Sequence, residues 1–257
     1  MTTIPAFTAY VDPELYDLVY SWYTLDIPFY VEEARAAAGP VLELGCGTGR
    51  VMLPILEAGV DIDGLDLEPA MIEALRRKAQ AKGLEPRLVV ADMRHFTMPR
   101  RYALATIPFR AFMHLVTQDD QLRALRCIRE HLEPGGALTL NLFYPNFAKM
   151  LEYEERRVCE REFPHPRLGH TVSVWNFTHY DRVRQLLRVE REVLETADDG
   201  RIVARHAYGF RVRWIFRFEM ELLLEAAGFT RIQVLGGFDR RPLAHTSDEM
   251  VWTAWRD

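Results

Sequence analysis

The chain has 257 residues, 32 of them basic and 37 acidic, for a net charge of -5. With 27% charged and 49% hydrophobic residues it has a globular composition, and its charge balance argues against nucleic acid or an anionic membrane as partner. Three cysteines without a C-x-x-C pair exclude a disulfide framework, and every apolar run breaks well short of a membrane span. Residues 1–10 lack a basic region followed by an apolar stretch, so the chain reads as a cytoplasmic protein with no membrane partner.

In chain order, residues 10–38 are rich in aromatics, with Leu15, Leu18, Val19 and Trp22 at helical spacing, and read as one or two helices. Residues 40–44 form an apolar run that stops at Gly45, the pattern of a buried strand. A helix follows over 49–58, a strand over 60–65, and a helix over 69–82 with Pro69 in its first turn and Gly83 as its stop. Strands over 87–91 and 102–107 lead to a helix that Thr117 caps and that Asp119 and Asp120 favour electrostatically. Pro134-Gly135-Gly136 breaks that helix before a strand over 137–143. Strands alternating with helices at this spacing make βαβ units and a parallel sheet.

After about residue 150 the rhythm becomes extended without helices. Strands are expected over 171–180, 185–196 and 201–213, with Asp198-Asp199-Gly200 as a hairpin turn between the last two. A helix over 218–227 and strands over 230–235 and 249–255 close the chain.

The sharpest motif is Glu43-Leu44-Gly45-Cys46-Gly47-Thr48-Gly49-Arg50, at the end of the first strand and the start of a helix. Glycine there permits positive φ and lets a ligand approach the backbone. A Walker loop needs Gly-Lys-Ser/Thr and a dinucleotide loop needs glycine at 50, and Arg50 disfavours both, including a nicotinamide oxidoreductase. The second strand ends at Asp66, whose carboxylate can accept two ribose hydroxyls. The third ends at Asp92, placed to accept from an adenine amino group, with Met93 and Met71 as soft contacts for the ring.

These features resemble the class I S-adenosylmethionine-dependent methyltransferases. Glu43-x-Gly45-x-Gly47-x-Gly49 is similar to the family's first motif, Asp66 to its ribose acid, and Asp92 to its adenine-contacting acid. Leu132-Glu133-Pro134-Gly135-Gly136-Ala137 is similar to the turn before its fifth strand, and the resemblance resumes over 223–255. Glu68 departs from the serine common among relatives, but Pro69 still starts the helix.

The resemblance implies one α/β domain, Rossmann-like, with a seven-stranded mostly parallel sheet and helices on both faces. Its parts are an N-terminal helical cap over 1–38, a core over 39–148, an antiparallel lid inserted over 149–214 after strand five, and the rest of the core over 215–257. The implied cofactor is S-adenosyl-L-methionine, with S-adenosyl-L-homocysteine as product. Its contacts would be Tyr23, Glu43, Leu44, Gly45, Cys46, Gly47, Gly49, Asp66, Leu67, Met71, Asp92, Met93, Pro108 and Phe109. Aromatic faces attract a sulfonium as they attract other cations, so Tyr16, Tyr20 or Tyr23 can close over the cofactor. The acceptor is a small molecule taking the methyl on N, O or C, touched by Tyr20, Arg110, His114, Tyr144, Trp175 and Arg213.

The catalytic residue is unassigned. His114 can serve as a base, although packing at a helix start explains it as well and methyl transfer often needs little acid-base help. His165, His170, His179 and His206 lack metal-ligand spacing, so no metal is expected. Asn141 to Asn146 follows strand five and lacks the paired prolines of an amino-methylation motif. The alternatives are a non-catalytic cofactor-sensing or partner-binding protein and a methyltransferase acting on nucleic acid or protein; a homodimer through the lid is open.

Overall fold

The computed structural model describes residues 10–245, 247 and 249–257; the reading of residues 1–9 lies outside them. Helices α1 (Pro13–Tyr20) and α2 (Ile27–Ala36) precede strand β1 (Val41–Leu44). Then come α3 (Met52–Glu57), β2 (Ile62–Asp66), α4 (Pro69–Gln80), β3 (Leu88–Val90) and β4 (Tyr102–Ile107). A 3-10 turn, Ala111–His114, leads to α5 (Gln118–His131) and β5 (Leu132–Phe143). Next are α6 (Phe147–Tyr153), β6 (Arg157–Pro164), β7 (Thr171–Asp181), β8 (Leu186–Thr196) and β9 (Ile202–Arg213). Helix α7 (Arg217–Ala226) and strands β10 (Arg231–Leu235) and β11 (Glu249–Trp255) end the chain.

The chain divides into two compact units, residues 21–145 with 214–257 and residues 1–20 with 146–213. In the first, a seven-stranded sheet has the order β10-β11-β5-β4-β1-β2-β3. All pairs are parallel except those of β11, which runs antiparallel to β5 and β10. All four residues of β1 are buried, as expected for a parallel strand covered on both faces. From β1 the chain steps outward to β2 and β3, then returns to place β4 on the other side of β1. Connections therefore diverge between β1 and β4, and in open α/β sheets ligands bind at the carboxyl ends of strands beside such a switch.

Local chemistry sets the helices that frame this edge. Pro69 occupies the first turn of α4, where its missing N–H costs nothing. The Thr117 hydroxyl accepts the Asp120 backbone N–H at 3.2 Å and caps α5, whose Ala124, Leu125 and Ile128 are buried.

In the second unit four strands form a meander, β6-β7-β8-β9, all antiparallel. Val172, Val174, Val193 and Tyr208 make its buried cluster with Val19 of α1, flanked by Leu15 and Leu18. Arg191 is buried too, and it is paired: Nε donates to Asn176 Oδ1 at 2.8 Å, and the guanidinium also reaches Glu160 and the Tyr20 hydroxyl.

Three elements differ from the sequence expectation. Strand β6 went unseen because five of its eight residues are exposed and half are charged, and it ends on Pro164, as an edge strand can. Helix α6 is only seven residues long and, though Phe147, Met150 and Leu151 stand at helical spacing, buries Met150 alone; the Asn146 side chain caps it by accepting the Lys149 N–H at 3.1 Å. Pro134-Gly135-Gly136 does not precede β5 but forms an irregularity inside it, since Tyr102 pairs with Leu132 and Leu104 with Ala137.

Two glycines after β1 separate folding from access. At Gly49, φ is +89° and a Cβ would stand 2.3 Å from Leu75 Cδ1 and 3.0 Å from Leu53 Cγ. At Gly47, φ is +52° and a Cβ would meet nothing within 4 Å. Gly49→Ala is therefore expected to cost about 2–4 kcal/mol from overpacking and a strained backbone, and Gly47→Ala only about 1 kcal/mol. Urea denaturation of both variants checks this; equal losses would contradict it.

Candidate functional site

The carboxyl edge of the parallel strands begins where β1 ends. The Gly45 and Cys46 N–H groups both donate to the Leu65 carbonyl, at 2.8 and 3.0 Å, stitching the glycine loop to β2. A Cβ on Gly45 would lie 3.1 Å from Ala111 Cβ and 3.9 Å from Met93 Cε, so Met93 and the turn after β4 both border the loop. Cys46 and Met71 are buried in the core, Leu67 is exposed, and Leu44 is fully buried in β1.

Asp66 ends β2. Its Oδ2 accepts the Gly47 N–H at 2.7 Å and its Oδ1 the Glu68 N–H at 2.9 Å. A carboxylate offers about four acceptor positions, and with the Leu67 N–H drawing on it as well it still keeps capacity for a hydroxyl donor. Burial pushes its pKa up, against the pull of the backbone N–H groups of Glu68 and Gly47.

Asp92 follows β3 and is more heavily engaged. Arg94 donates to it from the backbone at 2.9 Å, from Nε at 3.0 Å to both oxygens, and from Nη2 at 2.6 Å. Burial works against its charge, but the Arg94 hydrogen bonds outweigh it and hold the carboxyl below its usual range. About one acceptor position is left for an amino group.

Glu43 is the least compensated. It is 2% exposed, in the middle strand of the switch, and its Oε2 has no hydrogen-bond partner among the described residues. Burial pushes its pKa up to about 8, with Arg50 pulling it down and Asp26 and Asp66 pushing it further up. A buried carboxyl with one unpartnered oxygen beside an open glycine cradle fits a ligand that brings a cationic donor.

The aromatic side of the site comes from two segments. Arg50, just past the last loop glycine, forms a forked ion pair with the fully buried Asp26, at 2.6 and 2.7 Å, and donates to the Tyr23 carbonyl at 2.7 Å. Its guanidinium carbon sits 4.5 Å from the Phe109 ring centre and 5.3 Å from that of Tyr23, and the two rings are 5.2 Å apart. Burial, with Glu249 adding to it, pushes the Tyr23 hydroxyl up to about 12, so it stays protonated.

After β4 come the buried Pro108, then Phe109 and Arg110, with φ of +55° and +64°. His114 ends the 3-10 turn half-buried, and Tyr144 follows β5 half-buried.

These residues all belong to the parallel-sheet unit. Tyr20, Trp175 and Arg213 belong to the other unit. There the Tyr20 hydroxyl accepts from Arg191, the Trp175 ring lies 4.0 Å beneath Arg157, and Arg213 donates to Gln185 Oε1 at 3.2 Å. The same holds for Tyr16, whose ring lies 4.9 Å from that of Tyr20.

Sequence reasoning passed over Asp26, Asn141 and Glu249, and it used Arg50 only to reject rival loops. Glu249 had one available signal. It opens a strand whose residues after it are apolar or threonine, and an antiparallel last strand puts its first residue at the carboxyl edge.

Known proteins similar to this chain include several methyltransferases. Residues 41–136 match a family described as "Methyltransferase domain". The chain is 27% identical to a cypemycin N-terminal methyltransferase of a Streptomyces species, covering 93% of each chain. It is also 27% identical to the dTDP-3-amino-3,6-dideoxy-alpha-D-glucopyranose N,N-dimethyltransferase of Streptomyces fradiae, over 90% of this chain and 88% of that one. Among solved structures, the CcbJ methyltransferase of Streptomyces caelestis matches at 26% identity with a TM-score of 0.71, over 90% of this chain and 88% of that one.

The uncompensated Glu43 has a measurable signature. Its carboxyl titrates near 8 when folded and near about 4.3 when unfolded, so between those values the folded chain holds more protons. Stability of the ligand-free protein should therefore fall as pH rises from about 4 towards about 8, and Glu43→Gln should flatten that decline. Urea titrations at three pH values across this window check it; an unchanged slope in the variant would contradict it.

Proposed function

We propose that the chain, which is similar to the class I S-adenosylmethionine-dependent methyltransferases, methylates an amino nitrogen of a small-molecule acceptor. The observation that carries the cofactor assignment is the row of features at successive strand ends: the glycine cradle after β1, Asp66 ending β2 and Asp92 after β3. The choice of nitrogen is supported by relatives that match along most of the chain, one named an N-terminal methyltransferase and two named amino-sugar N,N-dimethyltransferases.

The residues fit the cofactor by the chemistry of their donors and acceptors. Asp66 would take a ribose hydroxyl on its remaining acceptor capacity. Asp92 would take the adenine amino group, with Met93 alongside the ring; Met71, 1% exposed, packs in the core instead. Glu43 would meet the α-ammonium near Gly45 and Gly47, and the paired Tyr23 and Phe109 rings would offer faces to a cation. The cofactor supplies a methyl carbon on a sulfonium, so an amine lone pair forms the new C–N bond as the C–S pair returns to sulfur.

What the chain's own residues contribute is alignment and dryness, the larger part of the rate for a reaction with so good a leaving group. An amine must be neutral to attack, and His114, at the end of the turn after Arg110, would be the imidazole to receive its proton. Tyr144 would contact the acceptor from the same unit, whereas the Arg110 guanidinium is held by Glu249.

Calorimetric titration with S-adenosylmethionine tests the cofactor site. Micromolar or tighter binding that Asp66→Ala weakens at least about tenfold, roughly 1.4 kcal/mol, is expected. A screen of amino sugars and peptide amines for S-adenosylhomocysteine release then tests the acceptor class. Turnover confined to hydroxyl or carbon nucleophiles would overturn the amine reading while leaving the cofactor site standing.

A further inference from the structure

Phe109 and Arg110 are consecutive non-glycine residues in the left-handed region, at φ of +55° and +64°. A side chain there costs energy, and such outliers persist only where the surroundings over-determine them. Here the surroundings can be named. The Arg110 backbone N–H donates to Asn141 Oδ1 at 3.3 Å, and the same oxygen accepts the Tyr30 hydroxyl at 3.0 Å. Asn141 Nδ2 donates to Glu249 Oε2 at 3.0 Å, which fixes which way the amide faces. Glu249 Oε1 accepts Arg110 Nε at 2.9 Å and Nη2 as well, so Arg110 is held by both its backbone and its side chain.

The holding groups are deep. Tyr30 and Asn141 are fully buried and Glu249 is 6% exposed, so a broken link would leave a polar group stranded in the core. They also come from separate elements: α2, β5 and β11 converge on one turn. The register explains the meeting point, because β11 runs against β5 and pairs Glu249 with Phe143 and Val251 with Asn141. The first residue of the last strand thus lies at the edge where β4 delivers Phe109.

We propose that Glu249 is a positioning residue for methyl transfer: acting through Asn141 and Arg110, it locks the Phe109–Arg110 turn left-handed. That lock sets the Phe109 ring against Tyr23 and aims the turn's backbone. The proposal rests on the reading above that this turn borders the reacting centre. Glu249 needs no contact with acceptor or cofactor for the role.

The test is a double-mutant cycle with Arg110→Gly, since glycine adopts a left-handed φ without a Cβ penalty and makes the lock unnecessary. Glu249→Gln in the wild-type background is expected to slow single-turnover methyl transfer by about tenfold or more while changing S-adenosylmethionine affinity by less than about threefold. In the Arg110→Gly background the same substitution should slow it by less than about threefold. A purely structural Glu249 would lower the melting temperature without changing the single-turnover rate of the folded enzyme, which would overturn the proposal. An equal rate loss in both backgrounds would overturn it too.

If Glu249→Gln does not fold, Tyr30→Phe removes one link to Asn141 and should slow single turnover without weakening cofactor binding; an unchanged rate contradicts the lock. If the wild-type chain methylates no amine, that failure belongs to the acceptor reading, and the lock is read from a crystal structure of Glu249→Gln or, should that not fold, of Tyr30→Phe. Residues 109 and 110 returning to negative φ supports it, and their staying left-handed overturns it.

Discussion

Four carboxylates, Asp26, Glu43, Asp66 and Glu249, crowd the carboxyl edge of the parallel strands, and two guanidiniums answer them. Arg50 takes Asp26 and Arg110 takes Glu249, each through a forked or doubled contact. Asp66 is left to backbone N–H groups and Glu43 to a buried position with one oxygen unpartnered. A buried negative charge without a partner is costly, and the cost can be met by taking up a proton or by taking up a cation. An open cradle beside Glu43 and two aromatic rings beside Arg50 make a cationic ligand the natural complement, and a sulfonium that also carries an ammonium is one.

The two ion pairs do more than balance charge. Arg50 joins the segment bearing Tyr23 to the exit of the glycine loop, so the aromatic pair and the loop are parts of one assembly. Arg110 joins the turn after β4 to the last strand. Bonds of this kind use strongly directional groups anchored on buried carboxylates, which is how a site is kept within the small tolerance that alignment-driven catalysis demands.

How much of this is legible in the sequence depends on how far apart the partners are. Gly45 to Gly49, Asp66 and Asp92 stand out because each follows an apolar strand directly, and strand ends in a βαβ fold share one edge whatever the rest does. Asp26 and Arg50 are 24 positions apart and Asn141 and Glu249 are 108 apart, and no local period links such residues. Strand β6 was hidden by charges interrupting its apolar positions, and helix α6 by its length of only seven residues. The division of the N-terminal aromatics was equally silent: α1 shares a core with the antiparallel strands, whereas α2 packs with β1 and α3. Both helices show the same aromatic richness in sequence, and only the surfaces they meet distinguish them.

The central claim is that an electrostatic deficit at Glu43 selects a cationic cofactor, and proton release on binding tests it most directly. Near pH 7 the buried carboxyl, with its pKa raised to about 8, is mostly protonated, and an ammonium placed beside it favours the charged form. Calorimetric titration with S-adenosylmethionine in two buffers of different ionisation enthalpy should show release of close to one proton in the wild type and none in Glu43→Gln. Binding without proton release, or release that survives Glu43→Gln, would contradict the account.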